Sequence, residues 1–95
     1  MAVKVLIRRK VAEENQQELS LLLRELRTLT TTRKGYISGE SFDRLDKPGE
    51  SLVVSTWQSV DDWRQWVLSP ERKALQEKID ALLGEETAYE LFEYS

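Results

Sequence analysis

The chain contains no cysteine and no histidine. The first absence excludes disulfides, thiolate metal sites and a cysteine nucleophile. The second removes the commonest general base, the commonest metal ligand and the usual proximal ligand of haem. No glycine-rich phosphate loop is present, and no nucleophile-elbow pattern flanks any serine. Carboxylates do not cluster as they would for a hard cation. Asp61 and Asp62 are consecutive in what reads as a first helical turn, where the helix dipole and the cap explain them. No metal and no cofactor is therefore expected. No apolar run approaches the ~18–20 residues of a membrane span, and the N-terminal stretch lacks the apolar core of a signal peptide. A cytoplasmic location without membrane attachment is the expectation. Basic residues are too few and too scattered for nucleic acid, with a formal charge of −3 and a pI near 5.0. The one basic run, Arg8-Arg9-Lys10, falls in a strand candidate and reads as a solvated face or a strand end.

What is present fits one small domain spanning residues 1–95, with 33% charged residues covering its surface. Residues 2–11 read as a strand, because Val3, Val5 and Ile7 alternate with Lys4 and Arg8 and Val11 keeps the same phase. Leu6 is the exception, on the opposite face. From Glu13 to about Thr32 the period changes to that of a helix. Leu19, Leu22, Leu23, Leu26 and Leu29 form one stripe, and Gly35 is placed to end it. Leucines at that spacing are read as core.

Tyr36 to about Leu45 is a second strand, and Gly39 within it marks a bulge or a close approach by another group. The turn Asp46-Lys47-Pro48-Gly49 joins it to a third strand, Leu52 to Gln58, as an antiparallel hairpin. Ser59 with Asp62 fits the start of a helix, and Ser69-Pro70 fits a restart, since serine suits an N-cap and proline the first helical position. Leu75, Ile79, Leu82 and Leu83 continue the second piece to a stop at Gly84. Thr87 to Tyr94 is a fourth strand, with Tyr89 and Leu91 on one side and Phe92 and Tyr94 on the other.

The order β-α-β-β-α-β implies an α+β, ferredoxin-like domain: a four-stranded antiparallel sheet with its helices on one face. Apolar residues on both faces of the later strands leave the other face in need of a cover. A second copy of the chain, paired through the sheets as a homodimer, is the economical answer.

The chemistry-bearing cluster is aromatic. Core packing is the plainer reading of Trp63 and Trp66. The functional reading makes them the wall of an apolar cleft for a flat organic molecule. Polar anchors in reach are Arg64, Arg72 and Gln76 from the helices and Tyr36, Ser38 and Glu40 from the second strand.

The phrases GYISGESF (35–42), VVSTWQSVDDWRQWVLSPER (53–72) and the closing ETAYELFEY together resemble the antibiotic biosynthesis monooxygenase family. The most telling piece is a Trp ending the third strand, a helix reading W-x-x-W, and then S-P-x-R. The resemblance implies a dimeric α+β barrel. It also implies a monooxygenase that joins O2 to a small hydrophobic phenol or quinol without metal or flavin, with Glu40, a tyrosinate or a water as the proton acceptor. A haem-degrading branch of the family carries a histidine ten residues after its helix tryptophan. Here Trp66 matches the tryptophan, and Gln76 stands where the histidine would be. Haem degradation is therefore not expected. The alternative is a non-catalytic dimeric module that binds a small ligand or serves in stress, and the lack of every usual general base speaks for it.

Overall fold

The computed structural model describes all 95 residues. Strand β1 (Val3–Lys10) leads through a short 3-10 turn (Glu13–Asn15) into helix α1 (Gln16–Thr30). Strands β2 (Tyr36–Asp43) and β3 (Glu50–Trp57) form the hairpin. Helices α2 (Val60–Val67) and α3 (Pro70–Leu83) follow, and β4 (Glu90–Glu93) ends the fold. The sheet order is β2-β3-β1-β4 with every neighbour antiparallel, which is the ferredoxin-like arrangement.

Local chemistry accounts for most boundaries. The Ser59 hydroxyl accepts from the Asp62 amide at 3.1 Å and starts α2. Ser69 does the same for α3, with Pro70 in its first turn, so the helical stretch is two pieces meeting at a serine-proline step. Gly84 closes α3 in the left-handed conformation, φ 76°.

The end of α1 differs from expectation. The helix stops at Thr30, short of Gly35, because the threonine-rich run turns its hydroxyls back on the chain. Thr28, Thr30, Thr31 and Thr32 bond to the carbonyls of Arg24, Leu26, Thr28 and Leu29. Gly35 instead sits at φ 85° in the approach to β2, where a Cβ would fall 2.3 Å from the Asp62 carboxylate. It lets the loop lie against the first turn of α2. β4 is also shorter than the sequence suggests. Thr87 is held by Asp80 of α3 through its amide (3.3 Å) and hydroxyl (2.7 Å), so the ladder begins only at Glu90.

Register places Val3 beside Trp57 and Val5 beside Ser55, and these positions face the helices. Val3, Val5, Trp57 and Trp66 form the buried core, with Leu26, Leu29 and Tyr36 packed on it. The intervening positions, among them Leu6, Val54, Phe42 and Phe92, share the other face of the sheet, and no element of the chain covers it. Phe42 and Phe92 are about half exposed there.

An exposed ion pair marks where the loop after α1 meets α3. Glu71 accepts from the Ser69 hydroxyl at 2.7 Å and from Arg33 at 3.1 Å. These bonds, Ser69 first, hold its carboxyl below the usual 4.5. A carboxyl whose pKa is depressed by folding adds stability above its unfolded pKa and loses it as the pH falls through the folded value. Glu71→Gln should therefore lose that small contribution at neutral pH and converge on the wild type well below pH 4.5, flattening the acid side of the stability–pH curve measured by urea unfolding.

Candidate functional site

A cleft opens between the sheet and the helices, enclosing about 110 Å³. Trp63 and Trp66 of α2, Leu23 and Leu26 of α1, and Tyr36 and Trp57 of the sheet supply its apolar wall. The aromatic rings are fixed by one another. Trp57 and Trp66 stack with centroids 6.5 Å apart, Tyr36 meets Trp57 edge-on at 5.4 Å, and Trp63 meets Tyr89 edge-on at 5.5 Å. Trp66 serves both readings of the sequence: it is 7% exposed and part of the core, and one side of it lines the cleft. Trp63 is only partly buried.

The polar end of the cleft is a hydrogen-bonded chain from α3 to the segment before β4. Arg72 donates to the Val67 carbonyl at 3.2 Å and, closely, to the Tyr89 hydroxyl. Tyr89 donates to Gln76 Oε1 at 3.2 Å. Gln76 Nε2 donates to Asp80 Oδ1 at 2.8 Å and to Thr87 Oγ1 at 2.7 Å. Both ends of the Gln76 amide are thus engaged, so Gln76 positions Tyr89 rather than offering free groups to a ligand. Burial pushes the Tyr89 phenol above its usual 10, although Arg72 and Arg9 pull the other way. Tyr89 remains a neutral proton donor at physiological pH and is no tyrosinate base.

Arg9, assigned to a solvated run on composition, is instead the most enclosed charge on this face. It is 5% exposed, and its Nε and Nη2 meet no acceptor. Its phase gives the reason. Val3, Val5, Ile7 and Arg9 are alternate residues of one strand and share the helix-facing side. Desolvation lowers the pKa of its guanidinium, and Tyr89 and Asp80 offset part of that. A buried donor without a partner costs about 1–3 kcal/mol, and more when charged.

The second-strand candidates divide. Tyr36 lies opposite Trp57, on the cleft side. A bulge between Tyr36 and Ser38 makes Ile37 the extra residue, so Gly39 rather than Ser38 joins Tyr36 on that face. Gly39 is required there: a Cβ would fall 2.6 Å from the Tyr36 hydroxyl. Ser38 and Glu40 register with Thr56 and Val54 on the uncovered face. Glu40 borders the cleft through its place in β2, but its carboxylate side is turned away. Arg64 is also off the site; it is exposed and pairs with Asp61 at 3.5 Å. Of the expected anchors, Arg72, Gln76 and Tyr36 therefore lie together at the cleft, with Arg9 and Tyr89 beside them and Asp80 bonded to Gln76 behind. Alternation in β1 was the available signal for Arg9. Nothing local in the sequence announces the Asp80–Thr87 contact.

A model of the antibiotic biosynthesis monooxygenase family matches residues 2–78. The chain belongs to that family. Solved structures agree in fold. A conserved protein of Methanosarcina mazei Go1 is 21% identical, with a TM-score of 0.91 over 100% of this chain and 94% of its own. The Rv0793 protein of Mycobacterium tuberculosis is 20% identical, with a TM-score of 0.87 over 100% and 96%. SnoaB of Streptomyces nogalater, a cofactor-independent oxygenase whose structure is of a mutant, is 16% identical, with a TM-score of 0.86 over 98% and 92%. No curated protein matches the chain by sequence. At these identities the shared feature is the fold.

Proposed function

We propose that the chain is a monooxygenase that uses O2 on a small hydrophobic phenol or quinol held between Trp63, Trp66 and the sheet. The observation that carries this reading is the pairing of an aromatic wall with two buried guanidiniums, Arg9 and Arg72, at one polar end. Cations in a desolvated cleft stabilise the deprotonated form of a phenol, and the anion is the form that reacts with O2. No carboxylate is aimed into the cleft, so the proton leaves to water. Tyr89, kept as a phenol, donates its hydrogen bond to Gln76 and holds Arg72 at the polar end. The reaction balances without an outside reductant. One oxygen atom bonds to a ring carbon in place of hydrogen and the other leaves as water, turning a quinol into a hydroxyquinone.

Size favours a single ring. The inner cleft, about 110 Å³ and open on one side, is of the order of the ~150 Å³ cavity that admits benzene. One ring therefore fits with its edge towards the opening, whereas pockets for drug-sized ligands run to roughly 300–1,000 Å³. Gln76, engaged at both ends, offers iron no ligand, which speaks against haem. An oxygen electrode with a panel of quinols and anthrones tests the reading. Uptake above that of an unrelated protein is expected, fastest with one-ring quinols. The second reading, a ligand-binding module without turnover, draws on the missing base, and it stands if no substrate consumes oxygen.

The oxygenase is proposed to work as a homodimer joined through the uncovered sheet face. The chain exposes 6607 Å², about 950 Å² more than the ~5,650 Å² expected of a monomer of 11.1 kDa. That excess is close to the ~800 Å² each partner gives to a standard interface. Sedimentation should show a dimer at micromolar concentration, and Val54→Asp, at the centre of that face, should give a monomer. A wild-type monomer at that concentration contradicts the proposal.

A further inference from the structure

The unpaired donors of Arg9 are not an arbitrary pair. In a guanidinium, Nε and Nη2 are the two nitrogens whose N–H bonds run parallel along one edge, the fork that meets both oxygens of a carboxylate at once. A phenolate or a chloride has one acceptor centre, which must share the two N–H groups at bent angles, whereas a carboxylate meets each of them in line. In this chain the fork is sealed from solvent and finds no acceptor, although Arg9 borders the cleft. The charge around it is also unbalanced. Arg9, Arg27 and Arg72 border the cleft, whereas Glu40, the only acidic residue among its lining, has its carboxylate side on the other face of the sheet. Asp80 is near, but its Oδ1 already serves Gln76 and Thr87. Arg27 sits at the rim, exposed and bonded to Ser41 at 3.0 Å, where it can draw an anion towards the opening.

We propose that the ligand of this cleft is a single-ring aromatic carboxylate of the hydroxybenzoate class, its carboxylate seated in the Nε–Nη2 fork of Arg9 and its ring against Trp63 and Trp66. The proposal rests on the cleft identified above as the binding site and narrows its substrate to a phenol or quinol that also carries an acid group. Entry of the carboxylate requires the lining around the fork to part, and the two new charge-assisted bonds favour that opening. Arg72 stays on Tyr89 and Val67 and contributes charge rather than direct contact with the carboxylate.

The test is a titration of the tryptophan fluorescence with gentisate, para-hydroxybenzoate and benzoate, against hydroquinone, cyclohexanecarboxylate, acetate and chloride. The aromatic acids should bind at least about tenfold more tightly than hydroquinone, which has the ring without the fork's partner, and than acetate, which has the partner without the ring. Arg9→Met should remove that preference. Arg9→Lys keeps the charge but lacks two parallel donors, so it should lose affinity for the acids by about tenfold and narrow their advantage over hydroquinone. If Arg9→Met fails to fold, Arg9→Lys alone decides the matter. Equal binding of gentisate and hydroquinone, an Arg9→Lys protein that binds the acids as the wild type does, or displacement of the acids by acetate or chloride at matching concentration (an adventitious ion only) would each overturn the proposal. Because binding is read without turnover, gentisate that binds through Arg9 with no oxygen uptake defeats the oxygenase reading alone. Oxygen uptake with hydroquinone and no preference for the acids defeats this one alone.

Discussion

Trp66→Ala should lower the free energy of unfolding by about 3–5 kcal/mol, the scale expected for truncating a buried tryptophan. Trp66 is 7% exposed, stacks on Trp57, and carries the Arg33 guanidinium 5.3 Å from its ring centroid. Alanine would open a hole where the cleft already leaves the core thin. It would also remove the ring face on which the Arg33 guanidinium rests. Only 12 of the 95 residues are buried, so few other contacts exist to absorb the loss. Against a total stability of roughly 5–15 kcal/mol for a domain, the variant should be partly unfolded at physiological temperature. Urea unfolding followed by circular dichroism gives the number. Trp63→Ala, at a partly exposed site, should cost clearly less and act mainly on the cleft. If the two variants lose equal stability, the division of labour between the tryptophans is wrong.

Asp80→Ala should cost about 3 kcal/mol, although Asp80 touches no ligand in this account. Its Oδ1 accepts from Gln76 Nε2, Thr87 Oγ1 and the Thr87 amide. Alanine leaves these donors short of an acceptor and releases the segment that carries Tyr89. It also removes a carboxylate whose charge favours the ionised form of Arg9. The exposed pair Arg8–Glu90 is the contrast. It is equally short at 2.8 Å, but its side chains are 66% and 46% exposed, and Glu90→Ala should change stability by no more than ~1 kcal/mol. Urea midpoints for the two variants compare them directly. Asp80→Ala should also weaken ligand binding, because Gln76 and Tyr89 lose their fixed positions; the exposed variant should not.

Much of the architecture was legible because it rests on short-range chemistry. Ser59, Ser69-Pro70 and Gly84 mark helix ends by groups that satisfy their own neighbours, and the strand order follows from alternation. The mismatches came where one distant or extra residue decides the outcome. The bulge at Ile37 reverses the facing of everything after it in β2, which took Ser38 and Glu40 off the cleft and made Gly39 the partner of Tyr36. The threonine run ended α1 before the glycine placed to cap it. Arg9 carried its signal in plain alternation, but a run of three basic residues reads as solvent-facing until the sheet shows that the middle one cannot be. Asp80 could not have been found, because its role depends on the chain returning at Thr87 from beyond the helix. The tryptophans were read as core or as cleft wall, and Trp66 is buried in the core with one side on the cleft.

The central claim is that the cleft beside Trp66 supports reaction of an electron-rich ring with O2. Incubation with a one-ring quinol under isotopically labelled dioxygen, followed by mass spectrometry of the product, tests it most directly. The account predicts a hydroxylated quinone with one labelled oxygen atom, and no product above background from Arg72→Met. Unlabelled product, or the same yield from an unrelated protein, would contradict it.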